Sequence, residues 1–165
     1  MSWIYTSIRV GKNSRPFKMY KFRTLKEGTD KTSPFAQQED YTLLGKLLRK
    51  TKLDELPQLI NVLKGEMSIV GPRPEEQQTI DVLPSDIRKF ILSVKPGLVD
   101  LASLYFFDEE FVLQQSSAIF KDYWTKVKPI KIILQCFYIH NRCPSLKLWI
   151  LWTALKMMCR NLLKK

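Results

Sequence analysis

Between Arg49 and Glu75 the chain reads RKTKLDELPQLINVLKGEMSIVGPRPE, and this run leaves little freedom in local structure. Leu56, Leu59, Ile60 and Leu63 recur at helical spacing, so a helix is expected from about Leu53 to Leu63. Pro57 is compatible with that helix only in its first turn, where a missing N–H costs nothing. Gly65 then ends it in the left-handed conformation that glycine adopts cheaply. Met67–Val70 reads as a short strand, and Gly71-Pro72-Arg73-Pro74 must be a stiff, extended loop. The consequence is an adjacent carboxylate pair, Asp54 and Glu55, at the mouth of a helix, followed by an arginine held between two prolines.

These residue types suit phosphoryl transfer. Amides and the dipole of a first helical turn stabilise negative charge, and Arg49 and Lys52 are close enough in sequence to lower the Asp54 pKa further. An ionised carboxylate can attack phosphorus and form an acyl-phosphate, while a neighbouring one holds a metal or manages a proton. Acidic residues in a first turn also occur simply because they favour the helix. Arg73 presents a planar fork matched to a pyrophosphate, on a backbone with little entropy to lose. The competing reading is a turn whose arginine points into water.

Upstream, Ser7–Val10 and Phe17–Phe22 read as strands joined by Gly11-Lys12-Asn13-Ser14. Arg9, Lys12, Arg15, Lys18, Lys21 and Arg23 make this hairpin basic, with Phe17, Tyr20 and Phe22 interleaved. Three outcomes fit: base stacking on a nucleic acid, a phosphate-lined pocket, or a strand with one buried and one solvated face. A helix with Leu43, Leu44, Leu47 and Leu48 on one stripe is expected over Tyr41–Arg49, capped by Asp40. Gly28–Ser33 reads as a linker and Ser33-Pro34 as a helix start. Asp86–Val94 and Asp108–Trp124 read as further helices, the first broken by Lys95-Pro96-Gly97 and the second with Asp108, Glu109 and Glu110 at its favoured end.

The final helix, Ser145–Lys165, has two faces. Lys147, Thr153, Lys156, Arg160, Asn161 and Lys164 cluster on one side, and Leu148, Trp149, Leu151, Trp152, Leu155, Met158, Cys159 and Leu162 on the other. Tryptophan opposite lysine and arginine is the composition of a helix lying in a membrane interface. A surface helix packed on its own domain has the same pattern.

Composition narrows the partners. Lysine and arginine number 27 against 16 aspartate and glutamate, a net charge of +11. A polyanion is therefore the natural partner: a nucleic acid, an anionic membrane surface or a phosphorylated substrate. No recognisable nucleic-acid module accompanies the charge. The three cysteines and the lone His140 show no metal-ligand spacing. No 18-residue window is free of charge, so no transmembrane helix is expected, and the first ten residues contain no signal-peptide core. A length of 165 residues suits one domain.

The central run resembles, almost residue for residue, the core signature of the bacterial sugar transferases, the polyprenyl-phosphate phosphoglycosyl transferases that start cell-surface glycan assembly. The likeness extends to Arg9-Val10-Gly11, to FKMYKFRTL (Phe17–Leu25), to VKPGL (Val94–Leu98) and to the C-terminal Tyr138–Met158. It implies an α/β (α+β) fold, helices around a small sheet with a membrane-apposed C-terminal helix, as one catalytic domain over 1–165. It implies transfer of a sugar-1-phosphate from a nucleotide diphosphate sugar, a UDP-sugar first among the candidates, to undecaprenyl phosphate. That reaction initiates exopolysaccharide, capsule, O-antigen or glycoprotein glycan assembly. Asp54 would be the nucleophile, with Glu55 beside it and Mg²⁺ held between Asp54, Glu55 and substrate phosphates. Arg49, Lys21, Arg23 and Arg73 would bind phosphate. The location implied is the cytoplasmic face of the bacterial inner membrane, peripheral or monotopic.

Three departures set an alternative beside this. The chain starts immediately before the basic strand block, so the family's N-terminal membrane-inserting segment is expected to be lacking. After Lys95-Pro96-Gly97 the common Ile-Thr-Gly-Leu-Ala-Gln is Leu98-Val99-Asp100-Leu101-Ala102-Ser103, then Tyr105-Phe106-Phe107, with no arginine nearby. Lys147 stands where an acidic residue is usual. The alternative is a truncated or degenerate member that binds membrane or partner without turnover.

Overall fold

The computed structural model describes residues 3–29, 38–106 and 119–163. It is a mixed fold of helices around two small sheets. Strands β1 (Ile4–Val10) and β2 (Pro16–Phe22) form an antiparallel hairpin with Val10 opposite Pro16 and Tyr5 opposite Lys21. Its connection contains a single 3₁₀ turn, Lys12–Ser14, in which Asn13 and Ser14 take positive φ. β2 alternates as a half-buried strand does: Phe17 and Met19 point inward onto Met67, while Lys18 is exposed.

Helix α1 (Leu43–Thr51) is capped by Thr42, whose side chain accepts from the Gly45 amide at 2.9 Å. Asp40 does not cap it; it closes a separate 3₁₀ turn, Gln38–Asp40. Gly45 is required because a Cβ there would lie 2.1 Å from the Thr24 carbonyl oxygen. The helix expected over Leu53–Leu63 divides in two. A 3₁₀ helix, Leu53–Gln58, contains Pro57 and leads into α2 (Leu59–Leu63). The entry to this unit is Lys52, in the left-handed region at φ 58°, and its exit is Gly65 at φ 74°.

Strand β3 (Ser68–Val70) pairs in parallel with β4 (Gly97–Val99), a strand hidden in the sequence by the apparent break at Lys95-Pro96-Gly97. The pairing brings two glycines back to back: a Cβ on Gly97 would lie 2.0 Å from the Gly71 nitrogen. Between them run α3 (Gln77–Asp81) and α4 (Ser85–Ile91), and after β4 comes α5 (Leu101–Tyr105). The expected helix start at Ser33-Pro34 and the acidic start Asp108–Glu110 lie outside the described residues. The later part of Asp108–Trp124 is α6 (Ile119–Asp122) and the beginning of a π turn, Tyr123–Val127. Two long helices follow, α7 (Lys128–Asn141) and α8 (Pro144–Leu163).

The core gathers Val70, Ile80, Ile91, Leu104, Tyr138 and Ile150 from β3, α3, α4, α5, α7 and α8. Ile150 and Ala154 face into it, so α8 does pack on its own domain. Yet Leu148, Trp149, Trp152 and Leu155 on the same helix are more than half exposed. The helix thus packs on its own domain through one face and leaves an apolar, tryptophan-bearing face exposed. No helix among the described residues is long and apolar enough to cross a membrane.

Candidate active site

The 3₁₀ turn at Leu53–Gln58 is built inside out. Asp54, Pro57, Gln58 and, on α2, Asn61 are buried, while Leu56, Leu59, Ile60 and Leu63 are exposed. The apolar stripe whose spacing predicts a helix faces outward, and the polar residues between its members face the hairpin. The leucines of α1 behave alike: Leu43 is 88% exposed, and Leu44 and Leu47 about half.

Asn61 holds this inverted unit against β2. Its Nδ2 donates to the Lys18 carbonyl at 2.8 Å and to Glu66 Oε2 at 2.7 Å, and its Oδ1 accepts from the Tyr20 amide at 3.3 Å. Lys21 is thereby set beside the dyad. Lys21 Nζ and Arg73 Nη2 both donate to Glu55 Oε1, each at 2.8 Å. One carboxylate oxygen is gripped by two cations from different parts of the fold. Burial pushes the Glu55 carboxyl up, but the Arg73 guanidinium and the Lys21 ammonium outweigh it and hold the group well below the usual carboxylate range. Burial in turn lowers the Lys21 pKa, against the opposing pull of Glu55.

Asp54 is in a different state. It is 4% exposed, and its Oδ1 is buried and accepts no hydrogen bond from the described residues. Burial, then the charge of Glu55, push its carboxyl up, with Lys21, Arg49 and Lys52 pulling against them. The Asp54 pKa is therefore raised, not depressed as its sequence neighbours predict. Arg49 and Lys52 do act in the expected direction, but removal from water outweighs them.

Of the predicted site residues, Asp54, Glu55, Lys21 and Arg73 converge. Arg49 contributes to the charge acting on Asp54, and its guanidinium carbon lies 5.2 Å above the Tyr41 ring. Arg23, half-buried just past the end of β2, is tied through its amide to the Trp3 carbonyl at 2.8 Å. Three buried polar residues of this region escaped the sequence reading: Gln58 and Asn61, on the face opposite the leucines, and Asp100, at the N-cap of α5. Nothing local signalled them, because helical periodicity assigns Gln58 and Asn61 to the solvated face and Asp100 lies in no predicted helix.

No group of three or more His, Cys, Asp and Glu side chains converges among the described residues. A cation here would have at most the dyad, Asp54 and Glu55, from the protein. Magnesium is commonly held by one or two carboxylates completed by substrate phosphates and water, so the uncommitted Asp54 oxygen fits it.

The profile of the family described as "Bacterial sugar transferase" matches residues 1–161. This chain belongs to that family. The sugar transferase chain is 47% identical over 97 residues to a Bacillus subtilis protein provisionally named an undecaprenyl-phosphate N-acetylgalactosaminyl 1-phosphate transferase, covering 57% of this chain and 54% of that one. It is 43% identical over 95 residues to a UDP-N-acetylgalactosamine-undecaprenyl-phosphate N-acetylgalactosaminephosphotransferase of Aeromonas hydrophila, covering 54% of this chain and 22% of the other. It is 40% identical over 118 residues to the exopolysaccharide production protein ExoY of Sinorhizobium fredii, covering 61% and 52%. The matches thus span between about a fifth and about half of those relatives' lengths.

Proposed function

We propose that this sugar transferase chain moves a sugar-1-phosphate from a UDP-sugar to undecaprenyl phosphate through a covalent phosphosugar on Asp54, in the initiation of a cell-surface polysaccharide. The carrying observation is the asymmetry of the dyad. Glu55 is fixed and neutralised by Lys21 and Arg73, whereas Asp54 beside it keeps an uncommitted, buried oxygen. The printed names of the relatives supply the donor and acceptor classes.

In the first step an Asp54 oxygen bonds to the sugar-bearing phosphorus, the bond from that phosphorus to the bridging oxygen breaks, and the nucleoside monophosphate leaves. In the second, an oxygen of undecaprenyl phosphate attacks the same phosphorus, the acyl-phosphate bond breaks, and the Asp54 carboxylate is regenerated. Lys21, Arg73, Arg49 and Arg23 bind phosphate oxygens, and Glu55 holds Lys21 and Arg73 in place to do so. Asp54 and Glu55 would hold Mg²⁺ if it binds, and the ion would there supply charge to offset that of the phosphates.

The same reading puts the chain against the cytoplasmic leaflet. Leu43, Leu47, Leu56, Leu59 and Leu63 form exposed apolar surface around the dyad, and α1 packs alongside α8, which exposes Trp149 and Trp152. Apolar surface of this kind, with a net charge of +11, suits an interface rich in anionic lipid.

The test is nucleoside monophosphate release by membranes containing the protein, supplied with Mg²⁺, undecaprenyl phosphate and a panel of UDP-sugars. Release that falls by roughly a thousandfold in Asp54→Asn, with an intact-mass adduct seen only in the parent, supports the reading. Full release from Asp54→Asn ends the covalent mechanism. No release with any sugar supports the alternative of a member without turnover.

A further inference from the structure

A second group of charges is buried behind Arg73, outside the dyad. Glu75 follows the Arg73-Pro74 dipeptide, and its carboxylate turns inward to meet Lys128 Nζ at the start of α7. The Lys128 side chain is 4% exposed and that of Glu75 15%. The Trp124 ring lies 6.0 Å from the same ammonium. The backbone of the Arg73 loop is tied at both ends as well: the Gly71 amide donates to the Val99 carbonyl at 3.0 Å, and the Glu75 carbonyl accepts from Val10 at 2.9 Å.

A buried ion pair is weak evidence for stability, because desolvation of both charges offsets their attraction. What such a pair can supply is a fixed relative position of the elements it joins. Lys128, Glu75, Arg73, Glu55 and Lys21 alternate in sign from α7 to β2, joined by two ion-paired contacts onto Glu55 and one between Glu75 and Lys128. Only Pro74 separates Glu75 from Arg73, and proline transmits position because its φ is locked.

We propose that the Glu75–Lys128 pair is a positioning element that sets the reach of Arg73 toward Glu55 and the substrate phosphate. This rests on the reading of Arg73 as a phosphate-binding cation. Lys128 is thus a positioning residue acting from 55 residues away in sequence, through a contact no local motif announces.

The experiment compares the parent chain with the double variant Glu75→Gln, Lys128→Met, which removes both charges and so avoids leaving one buried alone. Three quantities are read: the denaturation midpoint, amide hydrogen exchange in peptides spanning 71–76, and the split of nucleotide release into kcat and KM. The expected result is an unchanged midpoint, exchange in 71–76 faster by about tenfold, and kcat lower by about 10- to 100-fold. Single variants, each leaving one buried charge, should instead lower the midpoint. Unchanged exchange in the double variant overturns the proposal, as does unchanged kcat in an active parent. If exchange accelerates but the parent itself never turns over, the positioning element stands and the transferase reading falls.

Discussion

Asn61, with no exposed surface, donates to the carbonyl of Lys18 across 43 residues of sequence. That bond, with its partners at Tyr20 and Glu66, is what holds the hairpin against the dyad. Asn61→Ala would leave the Lys18 carbonyl, the Tyr20 amide and a partly buried Glu66 carboxylate unmatched. A loss of about 3 kcal/mol is expected, summing unsatisfied groups at one or more kcal/mol each. Denaturant unfolding of the parent and variant checks it, and a loss below about 1 kcal/mol would refute the role given to Asn61.

Glu55 gives a pH prediction. Its folded pKa is depressed, so its stabilisation is fully present above the unfolded value, near 4.5, and is lost as pH falls through the lower folded value. The stability difference between the parent and Glu55→Gln should therefore be constant from neutral pH down to about pH 5 and shrink below it. Denaturant midpoints across pH 3 to 7, on the order of five points, suffice to see the change. A difference that grows toward acid would contradict the assigned grip of Lys21 and Arg73.

Asp100 gives the opposite sign. Burial raises its pKa from 3.8 to about 6, against a hydrogen bond from the Ala102 amide and the charge of Arg73. Between those values the folded state binds more protons than the unfolded one, so stability falls as pH rises from about 4 to 6. Asp100→Asn keeps an acceptor for the Ala102 amide but carries no charge. At pH 7 it should be the more stable protein by up to about 3 kcal/mol, and the gain should vanish below about pH 4. Equal stability at both pH values would show that Asp100 is not an uncompensated buried acid.

Some of this could be read from the chain and some could not, for definite reasons. The hairpin, the Met67–Val70 strand and the glycine stop at Gly65 rest on local chemistry, which the sequence states outright. The dyad and Arg73 were legible as a constellation because one short run carries both. The direction in which Leu56, Leu59, Ile60 and Leu63 point was not legible. Periodicity gives a face but not what covers it, and here the polar face is the buried one. β4 was missed because a three-residue parallel strand leaves no alternation, only a glycine small enough for Gly71 to approach. The contacts from Lys18 to Asn61 and from Glu75 to Lys128 join residues 43 and 53 apart, beyond any local pattern.

The outward leucines lead to a final prediction. Leu43 and Leu63 are each 88% exposed, on α1 and α2, so replacing either should leave the core untouched. If this face enters a lipid interface, each leucine contributes about 1.5 to 3 kcal/mol on burial, and a glutamate there would add repulsion from anionic headgroups. Leu43→Glu and Leu63→Glu should each lower partitioning onto phosphatidylglycerol-rich vesicles by tenfold or more, by order of magnitude, with denaturation midpoints unchanged. Vesicle flotation measures the first quantity and denaturant unfolding the second. Trp152→Glu on α8, 61% exposed in the parent, serves as the comparison from the helix whose composition suggested the interface. If Trp152→Glu detaches the protein while the two leucine variants bind as the parent does, the lipid-facing surface is confined to α8. The inverted unit around the dyad would then need another partner to cover its leucines.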